Sequence, residues 1–353
     1  MGIKGLTQLI GDNAPEAIVD RPISSYFNRK IAIDASMALY AFLIAVRADN
    51  HLFLTNKNGE TTSHLVGLWG RTLKFLKYDI IPIYVFDGEP PELKRDELKI
   101  RESNKQKAEK AFQEAKEIGD SEAINKYSKR NVRVTRKQIN EAKRLLELMG
   151  IPFIEAPCEA EAQCAELVKT GKVWAVGSED MDTLTCGAPI LLRNLNYSEA
   201  MSKVKPIREI HLEKVLEGMK IDMNQFIDLC ILSGCDYCEK IRGIGPKRAF
   251  SLIKKHGNIE KILESLDTKK HPVPDYFPYR EIRDYFINPP VIPSKDINPS
   301  KLKIQEPDVE GLIQFLVVEQ CFNEGRVEKG IDLLIKNKKK SNQTRITSFF
   351  KIK

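Results

Sequence analysis

The sequence predicts an α/β fold on a mostly parallel central sheet. Three observations predict it: four short runs of β-branched and apolar residues, helix-like sequence after each, and acidic residues where each run ends. The first run, Lys30-Ile31-Ala32-Ile33, is closed by Asp34, and the second, Ile80 to Phe86, by Asp87. The third, Pro152-Phe153-Ile154, leads to Glu159 and Glu161, and the fourth, Val173-Trp174-Ala175-Val176, to Ser178-Glu179-Asp180-Met181-Asp182. Runs this uniformly apolar suit strands covered on both faces, and in such sheets ligand sites form beyond the carboxyl ends of the strands.

Between the second and third runs lies an insertion, about residues 93–136, with few large apolar residues and many Lys, Arg, Glu and Gln. It is helical in composition with little to bury, which fits either a solvated helical hairpin or a basic lid over the site. After the fourth run, Asp222-Met223-Asn224-Gln225 has the form of a helix N-cap, and the helix it opens ends near Ser233-Gly234. A glycine-rich turn, Gly243-Ile244-Gly245-Pro246, opens another helix, so residues of about 222–256 form two helices around a turn. Residues 336–342 are rich in lysine and read as a disordered basic linker. No internal repeat is visible.

With 353 residues, 42% of them apolar, the chain is long enough for one large core or two closely joined ones. Its 56 Lys and Arg against 49 Asp and Glu give a net charge of +7, which favours a polyanionic partner. Seven cysteines, an odd number placed in apolar segments, point to reduced thiols in an intracellular protein. The first thirty residues show no charged start followed by an apolar run, and no stretch of eighteen apolar residues occurs, so neither secretion nor a membrane span is expected.

Asp34, Asp87, Glu159, Glu161, Asp180, Asp182 and Asp236 would repel one another severely in one cleft without counter-charge. Taken singly, an Asp at a strand end is more often a helix cap; four successive strand ends supplying acids fit that reading poorly. All-oxygen ligation suits Mg²⁺, with Mn²⁺ as a substitute, and two such ions about 4 Å apart serve phosphodiester hydrolysis. The five histidines show no metal-like spacing and Cys235-Asp236-Tyr237-Cys238 is a lone C-x-x-C, so zinc is not expected. Residues two apart do not share a helix face, so Glu159 with Glu161, and Asp180 with Asp182, converge only if one member of each pair sits at an irregular helix start or acts through water.

Six segments then carry a resemblance: Met1-Gly2-Ile3-Lys4-Gly5-Leu6, Ile33-Asp34-Ala35-Ser36, Val85-Phe86-Asp87-Gly88-Glu89-Pro90-Pro91, Glu155-Ala156-Pro157-Cys158-Glu159-Ala160-Glu161-Ala162, Ser178-Glu179-Asp180-Met181-Asp182 and Gly234-Cys235-Asp236-Tyr237. In order and over nearly the whole chain, they resemble the motifs of eukaryotic-type flap endonucleases, in the XPG-like 5′ nuclease family. The resemblance implies a PIN-like nuclease core with the seven acids as ligands of two Mg²⁺ ions. It identifies the insertion as a helical arch through which a single-stranded 5′ end passes, and the two helices of 222–256 as a helix-two-turn-helix DNA-binding element.

Within the arch the resemblance implies that Lys94 and Arg101 act at the scissile phosphate as catalytic cations. It implies DNA contacts by Gly2, Tyr40, Arg47 and Arg71, and by Gly243, Gly245, Lys247 and Arg248, with a possible K⁺ ion on the main-chain carbonyls of Lys240, Ile241 and Ile244. Gln343, Ile346, Phe349 and Phe350 fit the Q-x-x-aliphatic-x-x-aromatic-aromatic pattern of a peptide that docks on the PCNA sliding clamp, tethered by the basic linker.

The expected organisation is a nuclease core over residues 1–335, made of an N-terminal segment, residues 1–106, and an internal segment of about 125–260. The linker 336–342 and the PCNA-interacting peptide 343–350 follow it. The expected function is Mg²⁺-dependent cleavage of branched DNA at 5′ flaps, with 5′-3′ exonuclease activity, in Okazaki fragment processing and long-patch base excision repair. A monomer in the nucleus, bound to no membrane, is the expected state. The rival readings are a related 5′ exonuclease or junction resolvase, and a catalytically inactive DNA-structure binder that recruits PCNA.

Overall fold

The computed structural model describes residues 2–46, 54–197 and 205–341. Among the described residues seven strands form one sheet, in the order β1-β7-β6-β5-β2-β3-β4. They are β1 (Ile18–Arg21), β2 (Lys30–Asp34), β3 (Ile81–Phe86), β4 (Phe153–Glu155), β5 (Ala175–Gly177), β6 (Ile190–Arg193) and β7 (Ile207–His211). The five strands β6-β5-β2-β3-β4 run parallel, as the sequence predicts. The predicted runs correspond to β2, β3, β4 and β5.

Three strands escape the apolar-run criterion, and β1 and β7 pair antiparallel at the margin of the sheet. Marginal strands need only one covered face. Asp20 of β1 and Arg208 of β7 stand opposite each other in register and ion-pair at 3.0 Å on the exposed side.

Alternation along the central strands divides the interior in two. Ile31 and Ile33 of β2, Tyr84 and Phe86 of β3 and Ala175 of β5 face one layer of apolar side chains, while Ala32, Ile83, Val85 and Val176 face the other. Helices α2 (Ala35–Ala45), α3 (Ser63–Lys77), α6 (Arg136–Leu148), α14 (Val309–Leu312) and α15 (Glu324–Ser341) cover the first face. Helices α1 (Leu6–Asn13), α7 (Ala160–Lys169), α9 (Leu212–Met219) and α10 (Met223–Ser233) cover the second. Ile31 and Ile33 are wholly buried, and burying such a side chain contributes about 1.5–3 kcal/mol.

The insertion forms two helices, α4 (Arg95–Ile118) and α5 (Ser121–Arg130), which pack on each other through the small buried faces of Ala108 and Ala115. Beyond the sheet, α10 begins in a full capping box, with Asp222 accepting from Gln225 N at 2.9 Å and Gln225 accepting from Asp222 N at 3.1 Å. Helix α11 (Pro246–His256) follows the glycine turn with Pro246 at its first position. Arg283 on α13 (Tyr279–Ile287) fastens this region, bonding Asp228 of α10 at 2.7 Å and Glu260 of α12 (Ile259–Ser265) at 2.9 Å.

One expectation is corrected here. Residues 336–341 do not leave the core as a disordered linker: they continue α15 to Ser341. Lysine is a good helix former; Asn337 bonds back to the Leu333 carbonyl at 3.0 Å within the helix, and Lys338 ties the segment to the Ile304 carbonyl at 2.7 Å. Among the described residues no helix is long and apolar enough to cross a membrane, and all seven cysteines are free thiols.

Candidate nuclease centre

Strand β2 lies between β5 and β3, so the chain crosses from one side of β2 to the other and opens a crevice at the carboxyl ends of these strands. A cleft of about 1260 Å³ occupies that position, lined by Asp34, Asp87, Glu159, Glu161, Asp180 and Asp236, with Lys94, Leu98, Arg101 and Asn104 on the arch side. Asp182, the seventh acid, is buried behind Asp180, whose Oδ1 accepts from Asp182 N at 3.1 Å.

Capping and site membership turn out to be compatible. Asp34 ends β2 and caps α2, accepting from Met37 N at 2.9 Å, while its other oxygen accepts from Ser178 Oγ at 3.2 Å. Asp87 follows β3 and accepts from Ala160 N at 2.8 Å, closing the first turn of a helix distant in sequence. The spacing problem is resolved at irregular helix starts. Glu159 has extended backbone and stands just before α7, whereas Glu161 lies in its first turn; Asp180 precedes the short helix α8 (Asp182–Thr185), which Asp182 opens.

Crowded acids without counter-charge resist ionisation. Burial, then the charges of Asp87 and Asp180, pushes the Asp34 carboxyl up to about 8, against the hydrogen bonds that favour its charged form. Burial and then the Asp180 charge push Glu161 and Asp182 well above the usual carboxylate range, and burial raises Asp180 as well. Among the described residues no three His, Cys, Asp or Glu side chains stand close enough to hold one metal ion as placed.

The donor set nonetheless fits a hard divalent cation. It is all oxygen, and Asp182 Oδ1 is buried with no hydrogen-bond partner. The backbone of Gly2 approaches this cluster in the left-handed region (φ 69°), and a Cβ there would fall 2.6 Å from Asp182 Oδ1 and nearer still to Asp180 Oδ1. Only glycine fits that approach.

The arch cations pair with the acids. Lys94 Nζ bonds Glu159 Oε1 and lies 3.6 Å from Asp236, and Arg101 bonds Asp236 and, at 2.9 Å, Glu97. Burial alone would lower the Lys94 pKa, but Glu161, Glu159 and Asp236 hold its ammonium above the usual lysine value. Tyr40 lines the cleft from α2, half-buried.

The remaining predicted contacts are dispersed. Arg71 is not among the cleft residues: it lies on α3 and donates to the Tyr197 carbonyl, which Lys74 also reaches at 3.0 Å. Arg47 and the residues Gln343, Ile346, Phe349 and Phe350 lie outside the described residues. At the glycine turn, Gly243 is left-handed (φ 77°) and Gly245 precedes α11 in extended form, with Ile244 N bonded to the Ile241 carbonyl at 3.1 Å. Lys247 is largely exposed and pairs with Asp12 at 3.3 Å, while Arg248 lines a small basic hollow with Lys255, Lys270 and His271.

Two tyrosines were missed as site residues. The hydroxyls of Tyr237 and Tyr285 both donate to Glu159 Oε2, Tyr285 at 3.0 Å. Tyr237 follows Asp236 directly and was within reach of sequence reading. Tyr285, 126 positions from Glu159, carries no local signal. Burial, then the Glu159 charge, raises the Tyr285 pKa, so its hydroxyl stays a donor at neutral pH.

The chain matches the XPG N-terminal domain over residues 1–108 and the XPG I-region over residues 150–236. It is 53% identical over 350 residues to flap endonuclease 1 of Heterostelium pallidum, covering 99% of this chain and 89% of that protein. Among solved structures it is similar to flap endonuclease-1 from Methanococcus jannaschii, with a TM-score of 0.74, 37% identity, and coverage of 97% of this chain and 100% of that one. It is also similar to the catalytic core of Rad2 in complex with DNA substrate, with a TM-score of 0.71, 25% identity, and coverage of 95% and 100%.

Proposed function

The chain belongs to the flap endonuclease family of XPG nucleases, and from that premise we propose that its seven acids hold two Mg²⁺ ions that serve in cutting 5′ flap DNA. Its activity is structure-specific endonucleolytic cleavage of flaps. The observation that carries the metal reading is the cleft itself, which acids following β2, β3, β4 and β5 line together under a basic arch. Asp34, Glu161, Asp180 and Asp182 would hold the ions from the sheet side, with Asp87, Glu159 and Asp236 completing the set directly or through water. When bound, the ions supply Lewis-acid polarisation of the phosphodiester and lower the pKa of water at the site.

The residues of the chain do the rest. Lys94 and Arg101 exchange their carboxylate partners for the scissile phosphate, where preorganised cations stabilise charge that develops in the transition state. Tyr40 offers a ring on which a base beside the cut stacks. The arch of α4 and α5 closes over the single strand, and the turn at Gly243 and Gly245 approaches duplex phosphates, with K⁺ on its carbonyls and Lys247 and Arg248 beside it. Recognition is therefore of shape, since phosphate contacts carry no sequence information.

The proposal further includes a 5′-3′ exonuclease activity, a role in replication and repair as a nuclear monomer, and recruitment by the PCNA clamp. Cleavage of a labelled 5′ flap should require Mg²⁺, persist to some extent with Mn²⁺, and weaken when Li⁺ replaces K⁺. Asp180→Ala should abolish cutting while leaving flap affinity largely intact. Undiminished turnover in EDTA, or in Asp180→Ala at saturating Mg²⁺, defeats the metal assignment.

A further inference from the structure

Glu159 is bound on both of its oxygens, by groups from three separate regions of the chain. Lys94, at the foot of the arch, takes Oε1. Tyr237, after α10, and Tyr285, on α13, both take Oε2. Two donors match the two lone pairs of one carboxylate oxygen, so Oε2 is saturated. A glutamate rotates freely about its last torsion unless something distinguishes its oxygens, and here the two hydroxyls do so.

We propose that Tyr285 is a positioning residue of the nuclease centre, which with Tyr237 pins Oε2 of Glu159 so that Oε1 alone is presented to the cleft and to a divalent cation there. The inference rests on the metal assignment above.

The surroundings of Tyr285 suit that task. Its ring is buried and lies 5.2 Å from the ring of Tyr237, and Phe286 closes the same cluster against Tyr237 at 5.3 Å. Helix α13 is itself locked by Arg283, which bonds both Asp228 and Glu260, so the hydroxyl is delivered from a fixed element. The alternative partner of the hydroxyl, Cys158 Sγ at 3.5 Å, is a weak acceptor beside a carboxylate. Groups that orient a metal ligand through hydrogen bonds commonly govern about 10- to 100-fold in metal affinity.

The test is Mn²⁺ titration of the DNA-free protein, followed by electron paramagnetic resonance. Tyr285→Phe keeps the ring and should weaken Mn²⁺ binding roughly tenfold, the lower end of that range. Its kcat should fall and the KM for flap DNA stay unchanged, because the hydroxyl's partners are Glu159 and Cys158 and not the arch. Tyr285→Leu, with apolar filling and no hydroxyl, should show the same loss and serves if the Phe variant folds poorly. In a Glu159→Gln background, Tyr285→Phe should change Mn²⁺ affinity no further. Equal affinity in Tyr285→Phe and the parent overturns the proposal, as does an undiminished loss in the Glu159→Gln background, which would mark a packing role. Failure of the parent protein to bind Mn²⁺ at all overturns the metal assignment and this inference with it.

Discussion

Lys94 spends the DNA-free state neutralising the carboxylates that it is proposed to share with metal, bonded to Glu159 and 3.6 Å from Asp236. Its charge is thus held at the cleft before a phosphate arrives. Lys94→Ala should lower single-turnover cleavage by roughly a hundredfold, the scale of one lost preorganised contact, with little loss of flap affinity. Both must be measured at one salt concentration, since affinity varies steeply with salt. Reduced affinity with an unchanged cleavage step would withdraw the catalytic role. At this scale the acids were legible because short side chains at strand ends have little freedom in where they point. The intramolecular partner of Arg71 was not, since a long side chain on a helix finds its partner by tertiary contact, here the Tyr197 carbonyl. Tyr285 was invisible for the same reason: only folding brings α13 to Glu159.

Among the elements, those with a local cause were readable. The capping box at Asp222 and Gln225 and the proline that opens α11 specify their helices in a few residues. Strands β1, β6 and β7 were not readable from apolar runs, because β1 and β7 carry charged residues such as Asp20, Arg208 and Glu209, and β6 ends in Arg193. Composition registers the lysine-rich end of α15 but not the bond that Lys338 makes to the Ile304 carbonyl. The described helix ends at Ser341, two positions before Gln343 of the proposed clamp peptide. Phe349→Ala with Phe350→Ala should remove stimulation by PCNA without changing cleavage by the free enzyme. Unaltered affinity of that variant for the clamp would show that the peptide has been misassigned.

For the molecule as a whole, concentrating acids in one cleft has a thermodynamic signature. The folded pKa of Asp34 is about 8, against about 3.9 in an unfolded chain, so folding favours its protonated form. The stability this supplies is fully present below about pH 4 and is lost as pH rises through about 8, the direction shared by Glu161, Asp180 and Asp182. A bound divalent cation removes that penalty. The gap in Tm between saturating Mg²⁺ and EDTA should therefore widen from about pH 5 to about pH 9. A gap that narrows with pH would mean that these acids are not what the cation neutralises.

The strand order β5-β2-β3-β4 also has a consequence for the making of the protein. Because β5 pairs with β2 on the side away from β3 and β4, which precede it in the chain, the seven acids proposed to hold metal come from positions 34, 87, 159, 161, 180, 182 and 236. A ribosome must pass roughly two-thirds of the message before the last of them exists, and parallel strands close slowly because their contacts are distant in sequence. Any product that stops short of Asp180, whether an abandoned nascent chain or a proteolytic remnant, lacks Asp180, Asp182 and Asp236, three of the seven acids. On the proposed metal assignment, the nuclease is thereby inactive until Asp236 has been added.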